Sequence, residues 1–218
     1  MPLESPGAVL RLEARPALGA RQANTDMVDA RLREAKRLLE TSAPAVEWLP
    51  DAEPGARGRV RLPNAADAFP LLHSLRTMLR ADPGPVPLDL VAGIGAGDET
   101  EGLARAGDAL QRLGRRRSDL TRAVTGDADA DVVLAALCRT MDAMICGWTD
   151  AQWQAVHRRD RDRTLEQIGE ELGIAYQNVS KRLIAARYSL YREVLGAAAL
   201  VFSRSAQERA ARRNLPGT

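Results

Sequence analysis

Cysteine and histidine are scarce: the chain of 218 residues holds two of each, Cys138, Cys146, His73 and His157. The cysteines stand eight positions apart in a stretch that reads as helix, on different turns and too distant for a bridge. They read as buried small apolar residues of a reducing compartment. No zinc-ligand spacing is present, and His73, between Leu72 and Leu75, reads as a surface or core-edge residue rather than a ligand. The longest apolar runs fall well short of the roughly 18 residues a membrane helix needs, and no basic-then-apolar leader opens the chain. A cytoplasmic location follows by elimination, with no membrane among the expected partners. The formal net charge is only +2 although the pI is near 8.8, so no global positive field advertises nucleic acid. Any electrostatic footprint must be local. Arg115–Arg117 and the group Arg158, Arg159, Arg161 and Arg163 are the local candidates, and the first reads as solvated surface.

What is present describes an ordinary soluble protein, with 45% apolar and 28% charged residues. The pattern changes after Gly126, which points to two cores: an α+β domain over 1–126, a linker helix and all-α domain over 127–202, and a polar tail over 203–218 expected to be disordered.

The most informative stretch is TLEQIGEELGIAYQNVSKRLIAA, Thr164 to Ala186. Leu165, Ile168 and Leu172 repeat at helical spacing, and Thr164 with Gln167 has the spacing of a capping box. Gly169 allows a second helix close, and Gly173 ends the first in a left-handed turn. Ile174 plugs that turn. In the second helix Val179, Leu183 and Ala186 form the buried stripe. Tyr176, Gln177, Asn178, Ser180, Lys181 and Arg182 remain near the outer start, mixing groups that bond base edges with cations suited to phosphate. A structural helical hairpin shares parts of this spacing, but the exposed start carries amides and cations and no acid. Ala175 stands where a capping Ser or Thr is usual, at a cost of about 1 kcal/mol.

Before this stretch, Gly7–Arg15 alternates as a strand, Thr25 caps a helix to about Glu40, and Ala45–Leu49 and Arg59–Leu62 flank a turn-rich tip, Pro50–Gly58. Ala65–Arg80 reads as helix, with Phe69, Leu72, Leu75 or Arg76, and Leu79 inward. Val86–Ile94 reads as a central strand, Gly102–Leu113 as a third helix and Leu120–Val124 as a last edge strand. Strand, helix, strand, strand, helix, strand is the ferredoxin-like split βαβ order: an antiparallel sheet with helices on one face. Asp127–Gly147 reads as a long linking helix, Trp153 and Val156 as packing under the helix-turn-helix, and the stripe beyond Ala186 as a helix continuing to about Phe202.

GWTDAQWQAV followed by the helix-turn-helix resembles the C-terminal half of the SatD family, whose helices are similar to region four of sigma factors. LVAGIGAGDETEGLARAGDAL looks like that family's Gly-Ile-Gly strand and following helix. The resemblance covers most of the chain after about Leu62. It implies an N-terminal domain similar to the sheet of class III nucleotidyl cyclases, which carry metal-binding carboxylates on the first strand and central hairpin. Here the hairpin reads PDAEPG and lacks the Gly-Asp-Glu-Phe type motif. Glu13 with Asp51 or Glu53 could form a two-metal pair, but ordinary exposed acids explain them more cheaply. The glycines of Gly-Ile-Gly-Ala-Gly lack Rossmann spacing and read as strand-to-helix geometry.

The expectation is a DNA-binding transcriptional regulator, not an enzyme, with no cofactor, metal or catalytic residue. Tyr176, Gln177, Asn178, Ser180, Lys181 and Arg182 are the candidate base and phosphate contacts, and Arg159, Arg161, Arg163 and Arg187 the mainly phosphate contacts. Its partner is double-stranded DNA. A homodimer, or a protein partner such as RNA polymerase bound through the same helices, stands beside it, and a cyclase-like metal-dependent enzyme ranks third.

Overall fold

The computed structural model describes residues 6–17, 25–42, 45–49, 57–81, 87–114 and 116–213. The tip carrying Asp51 and Glu53, Arg115, the last five residues and the side chain of Thr25 lie outside the described residues. The chain is α+β: a mixed five-stranded sheet with helices, then an all-helical C-terminal region.

Strand β1 (Ala8–Pro16) is central because its apolar residues alternate onto a covered face while both its edges pair. Helix α1 (Thr25–Ser42) leads to β2 (Glu47–Leu49) and β3 (Arg57–Leu62). A 3-10 turn (Ala65–Asp67), capped by Asn64, opens α2 (Ala68–Ala81). Strand β4 (Leu88–Ala96), α3 (Glu99–Gln111) and β5 (Thr121–Val124) complete the sheet, in the order β2-β3-β1-β4-β5. Pairing is antiparallel except between β4 and β5, which run parallel.

The expected wholly antiparallel sheet with helices on one face is corrected in both respects. Leu10, Leu12, Leu90, Ala92 and Ile94 face α1 and α2, meeting Val28 and Leu32, and Phe69, Leu72, Leu75 and Leu79. The opposite face of β4 carries Gly93 and Gly95, and α3 lies there. A Cβ on Gly93 would stand 2.2 Å from the Ala106 carbonyl oxygen, and one on Gly95 2.1 Å from that of Gly102. The Gly-Ile-Gly run is thus a seat for a helix, and a helix that returns the chain across the sheet makes the next strand parallel. Helix α3 also begins three residues before the expected Gly102, because Asp98 accepts from the Glu101 backbone N–H at 2.9 Å.

Helices α4 (Ala128–Cys146), α5 (Asp150–Arg159), α6 (Leu165–Leu172), α7 (Tyr176–Ala185) and α8 (Tyr188–Arg213) follow. The main apolar core does not stop at Gly126. It runs from the sheet into Leu134, Met141, Trp148 and Trp153, and on to Tyr191, Leu195 and Phe202 of α8. The edge of one ring of Phe69 and Phe202 meets the face of the other at 5.8 Å.

Three expectations change here. The helix after Ala186 is not continuous with α7, because Arg187 takes a left-handed conformation, φ 51°, between α7 and α8. The supposed disordered tail is helical to Arg213, since Ser203, Ser205 and Ala206 are buried and Arg209 donates to the Gly126 carbonyl at 2.9 Å. And only Cys138 is buried: burial pushes its thiol up to about 12, whereas Cys146 at the end of α4 is exposed.

Both inward readings of α2 hold, Leu75 and Arg76 together. The Arg76 guanidinium donates to the Leu90 and Leu120 carbonyls at 2.8 and 3.0 Å and pairs with Asp142 of α4 at 3.6 Å. Asp142 in turn accepts from the backbone N–H groups of Leu120 and Thr121 and from the Thr121 hydroxyl. Burial raises its carboxyl above the ordinary range despite Arg76 and these bonds.

Candidate nucleic-acid interface

Helix α6 starts where Thr164 and Gln167 form a complete reciprocal capping box. It stops at Gly173, whose φ of 65° and ψ of 33° are left-handed, the conformation that glycine adopts without a Cβ clash. Gly169 is buried against the turn, and a Cβ there would stand 2.7 Å from the Ile174 carbonyl oxygen. These features let α7 cross close over α6. A small separate core of Ala155, Ile168 and Val179 holds α5, α6 and α7, with Leu165, Leu172, Ile174 and Leu183 around it.

Trp153 and Val156 were expected under these helices, but they belong to the main core, and Ala155 is the α5 residue that meets Ile168 and Val179. The Trp153 ring lies beneath Arg80 and against Trp148, so it joins α5 to the sheet side.

Helix α7 buries Val179 and leaves Tyr176, Gln177, Asn178 and Lys181 exposed, with Ser180 and Arg182 half-buried beside them. No acid stands in its first turn, and Ala175 supplies no side-chain cap, so the free N–H groups and partial positive charge of the helix start face outward. Six candidate residues are therefore gathered on one helix. Arg187 is exposed beyond the other end of α7.

Arg159, Arg161 and Arg163 are exposed at the end of α5 and in the turn before α6, away from that cluster in sequence and on a different element. Two of the three are engaged: Arg159 donates to the Arg163 carbonyl at 2.8 Å, and Arg163 pairs with Glu171 at 3.4 Å. Arg158 holds the same Glu171 at 3.0 Å. Exposed Glu166, Glu170 and Glu171 make the outer side of α6 acidic, so an approaching polyanion is steered to α7 rather than α6.

Asp160, whose part is hidden in the sequence by its basic neighbours, fixes how this unit sits on the sheet. His73 Nε2 donates to it at 2.7 Å, the Tyr188 hydroxyl at 2.6 Å and Arg192 at 3.1 Å. His73 Nδ1 meets the Tyr191 hydroxyl at 3.0 Å. His73 is buried, not on the surface, and the acid that binds it lies 87 positions away. Burial opposes charge on Asp160, but His73, Tyr188 and Arg192 together outweigh it and hold the carboxyl below its ordinary range. Nearby, Trp148 donates to the Ala186 carbonyl at 2.8 Å, closing the joint at the α7–α8 break.

The alternative carboxylate site is not assembled in what is described. Glu13 pairs with Arg57 at 3.4 Å, while Asp51 and Glu53 lie outside the described residues. Among the described residues no group of three or more His, Cys, Asp or Glu comes together as a metal site would need, and no single helix is long and apolar enough to cross a membrane. No protein-family model, curated protein or solved structure matches the chain.

Proposed function

We propose that the chain is a cytoplasmic DNA-binding transcriptional regulator in which α6 and α7 form a helix-turn-helix and α7 enters the major groove. The observation that carries this reading is the start of α7, where amides, a tyrosine and cations project from an acid-free helix end seated over the Gly173 turn. Tyr176, Gln177 and Asn178 read base edges. Ser180, Lys181 and Arg182 contact edges or phosphates, and Arg159, Arg161, Arg163 and Arg187 add phosphate contacts. The antiparallel order β2-β3-β1-β4 supports a ferredoxin-like N-terminal domain, to which this reading gives a sensing or oligomerising role, while the SatD-like resemblance rests on the sequence motifs alone.

Fluorescence anisotropy of a labelled random duplex across a salt series tests the reading, beside the Lys181→Ala, Arg182→Ala double variant. Binding falls steeply with salt, and the variant lowers both the affinity and the slope. Absence of binding at low salt overturns it.

A second reading has its own support. Ile184 is 72% exposed on α7, an apolar side chain that a phosphate backbone does not reward. In that reading the same helices hold a protein partner such as a polymerase subunit, and the contact survives moderate salt.

A further inference from the structure

The large apolar side chains left exposed among the described residues are not scattered. Val132, Val133, Leu190 and Leu200 lie on α4 and α8, and only Tyr176 and Ile184 lie elsewhere, both on α7. Helices α4 and α8 run antiparallel, since Trp148 just beyond α4 reaches Ala186 just before α8, and Arg209 near the end of α8 reaches Gly126 just before α4. That pairing sets Val132 and Val133 level with the stretch of α8 around Leu200.

The outer side of α8 presents Glu193, Gly196, Ala197, Leu200 and Arg204 at helical spacing. Gly196 is unexplained by the fold around it: a Cβ there would meet nothing within 4 Å, yet glycine inside a helix costs about 1 kcal/mol against alanine. A second backbone approaching from outside gives that position a reason. The charges point to what approaches. Neither Glu193 nor Arg204 has an ion-pair partner among the described residues, and they stand at equal distances either side of the midpoint between Ala197 and Leu200.

We propose that this face is the contact of a two-fold homodimer in which two α8 helices cross antiparallel between Ala197 and Leu200. A two-fold axis there sets Glu193 against the partner copy's Arg204 and vice versa, and brings each Leu200 over the small Ala197 of the other copy, with Gly196 admitting the close approach. The pattern is self-complementary, as an isologous contact requires. An antiparallel crossing at that point also places the two α8 starts about 32 Å apart, from the rise of a helix. This is close to the roughly 34 Å between half-sites one DNA turn apart. That consequence rests on the DNA-binding reading, whereas the contact itself does not.

Sedimentation velocity of the full chain from about 1 to 100 µM tests the contact, because a dimer populated in this range has a micromolar or tighter Kd. The wild type sediments as a dimer. Leu200→Glu raises the dissociation constant by about 100-fold or more, as loss of a central apolar anchor does. Glu193→Arg and Arg204→Glu each weaken the dimer about tenfold, and the double reversal restores it to within about threefold, since it rebuilds the pair with opposite polarity. A monomer at the highest concentration overturns the proposal. So does a dimer indifferent to Leu200→Glu and to both single reversals. If Leu200→Glu fails to fold by circular dichroism, the reversal pair decides. Salt-dependent binding of random duplex by a folded Leu200→Glu monomer keeps the DNA reading apart from this one.

Discussion

Two glycines in the C-terminal region show how one residue type serves opposite ends. Gly173 has a left-handed φ, so Gly173→Ala is expected to destabilise by about 1–2 kcal/mol. Gly196 sits in open space in a right-handed helix, so Gly196→Ala is expected to stabilise the monomer by up to about 1 kcal/mol. Urea midpoints check the signs, with Gly196→Ala measured in the monomeric Leu200→Glu background, and a matching sign for both would remove the argument from backbone conformation. Asp160 carries the pH-dependent term. Its folded carboxyl titrates below the unfolded value of about 3.9, so its stabilisation is fully present above that pH and is lost as pH falls through the lower folded value. Asp160→Asn should cost about 1–3 kcal/mol at pH 7 and flatten the acid limb of a plot of stability against pH below about 4. An unaltered acid limb would mean that the carboxylate is not what His73, Tyr188 and Arg192 are held by.

Helix α7 starts without a side-chain cap, with Ala175 already extended at φ −63° and ψ 143°. Ala175→Ser should therefore stabilise by about 1 kcal/mol, read as a rise in thermal midpoint. The same helix start is where the proposed function has DNA met. Gln177→Ala with Asn178→Ala should relax sequence preference while random-duplex affinity stays, and equal losses on specific and random DNA would remove the base-reading role. Helix α8 shows how far a local pattern reaches. Its polar C-terminal turns read as a disordered tail because their few apolar residues form no long stripe. Burial of Ser205 and Ala206 and the bond from Arg209 to Gly126 come from packing against the rest of the molecule. Removing residues 203–218 should therefore lower the thermal midpoint by several degrees, as an unfolding cost of about 1–2 kcal/mol does; an unchanged midpoint would make the last turns dispensable.

The described residues are held by one large core and one small one, and the large one crosses from sheet to C-terminal helices. Arg76 with Asp142, His73 with Asp160, and Phe69 against Phe202 bind the same elements. Unfolding in urea should accordingly be a single transition, with tryptophan fluorescence and far-ultraviolet circular dichroism coincident. Two separated transitions would show that the sheet and the C-terminal helices are energetically independent.

The sequence by itself determined the local events. Helix periodicity, the capping box of Thr164 and Gln167, the stop at Gly173, the missing cap at Ala175 and the strand order along the chain all depend on residues within a few positions of one another. Tertiary structure alone decided what lies far apart in the chain. Which face of β4 takes α3, the parallel entry of β5, the burial of His73 against Asp160 and the order in the last turns of α8 all arise when distant surfaces close. The physical reason is that hydrogen-bond periodicity and capping are satisfied within a turn or two. A buried polar group or a helix end is satisfied only by whatever the fold brings to it.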